Sequence, residues 1–251
     1  MQKKSNNIRQ TIIKMITKSK SSHIGGALST VDILNSIYSK FFKENDKLIL
    51  SKGHSGSALY ATLAEYGKID KNNLIDTYCQ NGSKFGGHIT YGSMPGVDAS
   101  AGSLGHGLSI GCGFALADKN RNVFVITGDG ELNEGSIWEA VMFSFHHKLS
   151  NLIWIIDRNG QQACGNTDDI MKINNLNDIL KSFGWFVQEI DGHDFREINN
   201  AFTNLNNELS NVIIANTIKG KGVSFMEDNL TFHYRPPNDE QYQLALNELS
   251  K

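Results

Sequence analysis

From residue 122 onward the chain alternates two kinds of segment, and this alternation restricts the possible fold more than any other feature. Residues 122–126 (NVFVI) form a short β-branched run ending in Thr127-Gly128, the pattern of a strand buried on both faces. Residues 135–149 then carry Ile137, Trp138, Val141, Met142 and Phe145 at helical spacing. A strand over 152–156, a helix through Ile179 and Leu180, a strand over 185–190, a helix over 195–209 and a strand over 212–215 follow. Strand and helix in strict succession predict an α/β chain of three layers, αβα, around a mostly parallel sheet.

The first hundred residues are less regular. Ile8, Ile12, Ile13 and Ile16 lie among the lysines of residues 3–20 as on an amphipathic helix with a solvated face. A helix is expected over 30–42 (Val31, Leu34, Ile37, Tyr38, Phe41), a short strand over 48–50 and a helix over 57–66. Residues 82–113 are rich in Gly and Ser and are expected to stay outside the core as a long functional loop. With no repeat and no Pro-rich linker, residues 1–251 read as a single domain.

Composition excludes several classes of function. A net charge of -2 with 20% charged residues gives no electrostatic case for nucleic acid or an acidic membrane surface. No apolar run approaches the ~18 residues of a membrane span and no signal peptide opens the chain, so a cytoplasmic protein is expected. Cys79, Cys112 and Cys164 are far apart, which argues for reduced thiols rather than a disulfide framework or a zinc site.

Chemistry concentrates where the first strong strand ends. Gly128-Asp129-Gly130 occupies the sheet edge that binds ligands in parallel α/β folds, and glycines there admit a close diphosphate. An aspartate at that place repels a diphosphate unless a divalent cation lies between them, so Asp129 reads as a Mg²⁺ ligand. The neighbouring strand supplies Asn159 at its C-terminal mouth, in Asp157-Arg158-Asn159-Gly160-Gln161. Of eight histidines, His23, His54, His88, His106 and His233 stand in Gly-, Ser- or Pro-containing loops, where imidazole can bind phosphate or move protons. His146, His147 and His193 read as ordinary surface or core residues.

Several motifs in order resemble the transketolases. They are Ser22-His23-Ile24-Gly25-Gly26, Leu50-Ser51-Lys52-Gly53-His54, Gly87-His88, Gly102-Ser103-Leu104-Gly105-His106-Gly107, residues 128–135 (GDGELNEG), and residues 219–227 (KGKGVSFME) followed by His233. The resemblance runs from about Ile12 to Tyr242 and is to the N-terminal, diphosphate-binding third of these thiamine diphosphate enzymes, including those split over two genes. It implies thiamine diphosphate with Mg²⁺, or Ca²⁺ or Mn²⁺ in its place, held by Asp129, Asn159 and the Gln161 carbonyl. His54, Gly128, Gly130, Glu131, Asn159 and His233 would contact the diphosphate side, and Gly102, Ser103 and Leu104 the remainder of the cofactor. By the same resemblance His23, His88 and His233 would act on substrate, and Glu134 would link paired active sites across a dimer interface.

The implied reaction transfers a two-carbon ketol unit from a ketose to an aldose, each a sugar or sugar phosphate. In the family the glutamate that activates the cofactor lies in a second domain. The resemblance therefore implies a separate C-terminal, pyrimidine-binding subunit, joined with this chain in an α2β2 heterotetramer. Three positions depart from the family: Gln161 stands for an apolar residue, Cys164 for an aspartate, and Tyr234-Arg235 for Gly-Lys. The α subunit of a 2-oxoacid dehydrogenase, a deoxyxylulose phosphate synthase-like enzyme and a non-catalytic scaffold with the same fold stay open as alternatives.

Overall fold

A computed structural model describes residues 1–251. Five strands, β1 (Lys47–Leu50), β2 (Val123–Gly128), β3 (Leu152–Arg158), β4 (Phe186–Asp191) and β5 (Asn211–Asn216), form one sheet in the order β1-β2-β3-β5-β4. Every neighbouring pair is parallel. All five C-terminal ends therefore open on one edge.

Alternate residues of each strand feed two separate cores, as the two-residue period of a strand requires. Leu48, Leu50, Phe124, Ile126, Ile153 and Ile155 pack on one face. That face is covered by α1 (Gln2–Ser19), α2 (Ile24–Ser29), α3 (Val31–Ser36), α4 (Gly56–Glu65), α5 (Lys71–Thr77), α10 (Phe195–Thr203) and α12 (Asp239–Leu249). Ile49, Val123, Val125, Leu152, Trp154 and Ile156 pack on the other face, against α6 (His106–Ala117), α7 (Gly135–His146) and α9 (Leu176–Ser182). The result is the expected three-layer αβα arrangement, with a sheet that is wholly parallel.

One expectation fails. Residues 82–105 form neither helix nor strand, but residues 106–113 belong to α6, and Leu108 and Cys112 are buried in the second core. The glycines that made this stretch look like loop are what let the helix lie close to the sheet. A Cβ at Gly107 would sit 2.3 Å from Ser51 Cβ, and one at Gly111 would sit 2.4 Å from Val125 Cγ2. Close helix–strand contact outweighs the usual ~1 kcal/mol helix penalty of glycine. The helices expected over 30–42 and 195–209 are also shorter: α3 ends at Ser36 and gives way to a π-helical turn over Ile37–Phe41, and α10 ends at Thr203.

Candidate functional site

The ends of β2 and β3 build the floor of a cavity of about 480 Å³. Gly128 pairs with Asp157 in the sheet register, which places Asp129 and Asp157 side by side. Both carboxylates are buried, yet their surroundings differ. Asp157 is an ion-pair partner of Lys52 and accepts from Ser29 and Thr30, both at 2.7 Å, and from Thr217. Burial works against its charge, but the Lys52 ammonium and these donors together hold the carboxyl below the usual range.

Asp129 has no cation. Its Oδ2 accepts the amides of Asn159 (2.7 Å) and Gly160 (3.1 Å), and burial, then the neighbouring Asp157, pushes its pKa up to about 7. A carboxylate 3% exposed and without a cation costs free energy unless something positive joins it. The nearby donors are oxygens: the Asn159 side chain, which accepts from the Gln161 amide at 3.1 Å, and the Gln161 carbonyl in the same loop. Such a set suits a hard divalent ion such as Mg²⁺, Ca²⁺ or Mn²⁺ rather than zinc. The residues present thus fit the metal-bridged diphosphate that the sequence implies. Beside them Lys219 is buried, donates to the Gln162 carbonyl at 3.0 Å, and has its pKa pushed down to about 8 by burial and by Lys52.

Above the floor stands a wall of four histidines from four separate loops. His23 lies 5.5 Å from His54, 5.9 Å from His88 and 5.0 Å from His233 between ring centroids, and His54 lies 5.9 Å from His233. His23 caps α2 with φ 70°, a left-handed conformation that a non-glycine residue adopts at a cost of order ~1 kcal/mol and mainly at functional sites. Its amide donates to the His233 carbonyl at 2.7 Å, tying the N-terminal loop to the short helix α11 (Thr231–Tyr234). Burial, with Lys219 and other nearby bases, lowers the pKa of His233 to about 3; burial likewise lowers those of His23 and His54. These three rings are neutral at physiological pH. The His233 Nδ1 is buried without a partner.

Every site residue expected from the sequence lines the cavity except Ser103. Gly102, Leu104, Gly128, Gly130 and Gln161 stand with the histidines, and Glu134 is exposed at the rim. Ser103 is exposed outside it, and His106, the fifth loop histidine, begins α6 at the surface. Glu131 does line the cavity, but its carboxylate is committed to the protein: it accepts from the amides of Gly105 and Gly128, both at 2.9 Å, and from Ser51. Lys52, Asp157, Gln162 and Lys219 belong to the floor and were not singled out by residue type. Lys52 and Lys219 lie inside the motifs SKGH and KGKG, which was the signal available.

Comparison with known proteins agrees with this geometry. The family described as transketolase, thiamine diphosphate binding domain matches residues 1–249. One of the two subunits of an apulose-4-phosphate transketolase from Phocaeicola vulgatus is 38% identical, covering 97% of this chain and 91% of that relative. A 6-deoxy-6-sulfo-D-fructose transketolase subunit of a Clostridium strain is 38% identical over 100% of this chain and 96% of its own length. The crystal structure of transketolase from Campylobacter jejuni superposes with a TM-score of 0.91 at 29% identity, covering 99% of this chain and 42% of that one. The chain thus carries a transketolase-type transferase site whose cofactor is thiamine diphosphate with a divalent ion, and it belongs to the transketolase family as the thiamine diphosphate-binding domain.

Proposed function

We propose that this chain is the N-terminal subunit of a transketolase divided over two polypeptides, acting with a separate C-terminal subunit in an α2β2 assembly. The convergence of four loop histidines over a cation-free, buried Asp129 carries the reading. End-to-end similarity to relatives named as transketolase subunits supports the division. Their names point to a ketose with a terminal anionic group, and a sugar of that class is the substrate proposed here. Residues 1–251 then act as one diphosphate-binding domain in the cytoplasm; no helix is long and apolar enough to cross a membrane.

Thiamine diphosphate, when bound, supplies the electron sink that lets a carbon–carbon bond beside a carbonyl break and form again. Asp129, Asn159 and the Gln161 carbonyl would hold the divalent ion, and Gly128, Gly130 and Lys219 would border the diphosphate. His54 and His233 face the same end of the cavity. Neutral His23 and His233 can accept a proton from a sugar hydroxyl, and His88 extends that wall toward the mouth. Leu104 presents an apolar surface to the cofactor from the Gly-rich loop, with the Gly102 carbonyl beside it. Glu134, at the rim, is placed to meet a second copy. Assay of the purified chain with and without a transketolase C-terminal subunit tests the proposal: ketol transfer is expected only from the pair, and robust turnover by the chain alone would refute it.

A further inference from the structure

His193 lies outside the cavity, at the end of β4, yet it touches the loop that supplies Lys219. Its Nδ1 is 2.8 Å from Asp32 Oδ2, and its Nε2 accepts the amide of Ile218 at 2.9 Å. Those two contacts fix the ring: Nε2 carries no proton, so Nδ1 donates to the carboxylate. Asp32 is itself clamped by Arg9, whose Nη1 and Nη2 reach its two oxygens at 3.1 and 2.6 Å. Burial opposes the Asp32 charge, but Arg9 and the hydrogen bond from His193 hold the carboxyl well below the usual range. An ionised carboxylate on α3, anchored to α1, thus orients an imidazole that grips one backbone amide.

That amide belongs to the residue between Thr217 and Lys219. Thr217 donates to Asp157, and Lys219 reaches the Gln162 carbonyl at 3.0 Å in the cavity. Around Lys219 the backbone has few alternatives, since Gly220 donates to the Gly25 carbonyl at 2.9 Å and Asp228 to the Lys219 carbonyl at 2.9 Å. The single side chain gripping this turn from the β4 side is His193.

We propose that Arg9, Asp32 and His193 form a positioning relay, in which His193 sets the Ile218–Lys219 backbone so that the Lys219 ammonium stays aimed at the diphosphate end of the cavity. The inference rests on the functional reading above for the identity of the bound anion. His193→Leu removes both contacts, whereas His193→Gln can donate to Asp32 through its amide nitrogen and accept from Ile218 through its oxygen.

Amide hydrogen exchange on the ligand-free chain reads the contact directly. Ile218 and Lys219 should exchange faster in His193→Leu and recover in His193→Gln, while the β2 and β3 amides stay unchanged. Titration with thiamine diphosphate and Mg²⁺ should show binding weakened about ten-fold in His193→Leu, the size usual for a group that orients a ligand-binding residue, and restored in His193→Gln. In a Lys219→Met background, His193→Leu should cause no further loss, because its effect passes through Lys219. Unchanged exchange at Ile218, or losses that simply add in the double variant, would overturn the relay. A wild-type chain that takes no cofactor would instead refute the functional reading, and the exchange result would still decide the His193 contact.

Discussion

The floor and the wall of the cavity are made in opposite ways. The floor is charged and comes from the ends of adjacent parallel strands, so its carboxylates and lysines are placed by the most rigid part of the molecule. The wall is largely neutral and is assembled from loops far apart along the chain, from His23 to His233. Within the floor the contrast repeats on a smaller scale: Asp157 is fully neutralised by the protein, and Asp129 is not. A buried charge satisfied from within serves folding, whereas one left short of a cation serves binding. Changes in the floor should therefore alter stability or cofactor affinity, and changes in the wall should alter turnover and substrate choice.

The largest effect expected is from Asp157→Ala. It leaves Lys52, 1% exposed, without its counter-ion, and breaking one half of a buried pair costs about 3–5 kcal/mol. Denaturant unfolding should show a sharply lowered midpoint. A midpoint like that of the wild type would remove the distinction between the two aspartates.

Asp129→Ala should do the reverse, abolishing Mg²⁺-dependent binding of thiamine diphosphate in calorimetric titration while leaving the metal-free fold at least as stable. Equal wild-type affinity with and without EDTA would defeat the metal assignment. A pH signature sharpens the point. The folded pKa of Asp129 is raised to about 7, against an unfolded value of ~3.9, so between those values the folded chain binds more protons. Its contribution to stability is present below the unfolded value and is lost as pH rises through the folded one. Metal-free wild type should therefore lose melting temperature from pH 5 to pH 8 relative to Asp129→Asn, and Mg²⁺ with the cofactor should erase the difference. The depressed histidines act with the opposite sign, which is why the variant is the proper reference.

How much of this was legible in the sequence follows the same division. Strands β2 to β5 are runs of β-branched residues whose period survives any tertiary context, and Gly128-Asp129-Gly130 with Asn159 marked the metal end directly. Asp157 and Lys52 were not assigned roles, because a charged residue at a strand end looks alike whether it finds a buried partner or solvent; pairing is a three-dimensional fact. The start of α6 was misread because Gly107 and Gly111 signal a loop by propensity and close packing by context. His23, His54, His88 and His233 were separable from His146, His147 and His193 by their loops, but His106 shared that signal and lies at the surface. For His193, nothing in its local sequence announces Asp32, which is 161 positions away.

In the wall, His23→Ala and His88→Ala should spare cofactor affinity and lower turnover of the reconstituted enzyme by ~10²- to 10⁴-fold, the usual range for a group that moves a proton to or from substrate. Cofactor titration beside steady-state kinetics separates the outcomes. If both variants lose cofactor and turn over normally once saturated, the wall belongs functionally with the floor and the comparison fails.

The smallest effect expected concerns Tyr234, the aromatic side chain at the cavity mouth. It is 60% exposed, and its ring centroid lies 4.7 Å from His233 and 6.1 Å from His23. An exposed residue carries little of the fold, so Tyr234→Gly should change unfolding by no more than about 0.5 kcal/mol. Its ring nevertheless occupies space above two histidines that face substrate, and removing it widens the path along which an aldose approaches them. Loss of one wall contact alters discrimination between substrates by about 10-fold rather than by thousands. Tyr234→Gly should therefore raise kcat/KM for long aldose acceptors relative to glycolaldehyde and leave the cofactor affinity untouched. Kinetics with acceptors of graded length will show it; a uniform change across all acceptors would mean that Tyr234 supports His233 rather than shaping the entrance, and would move it from the mouth to the histidine wall.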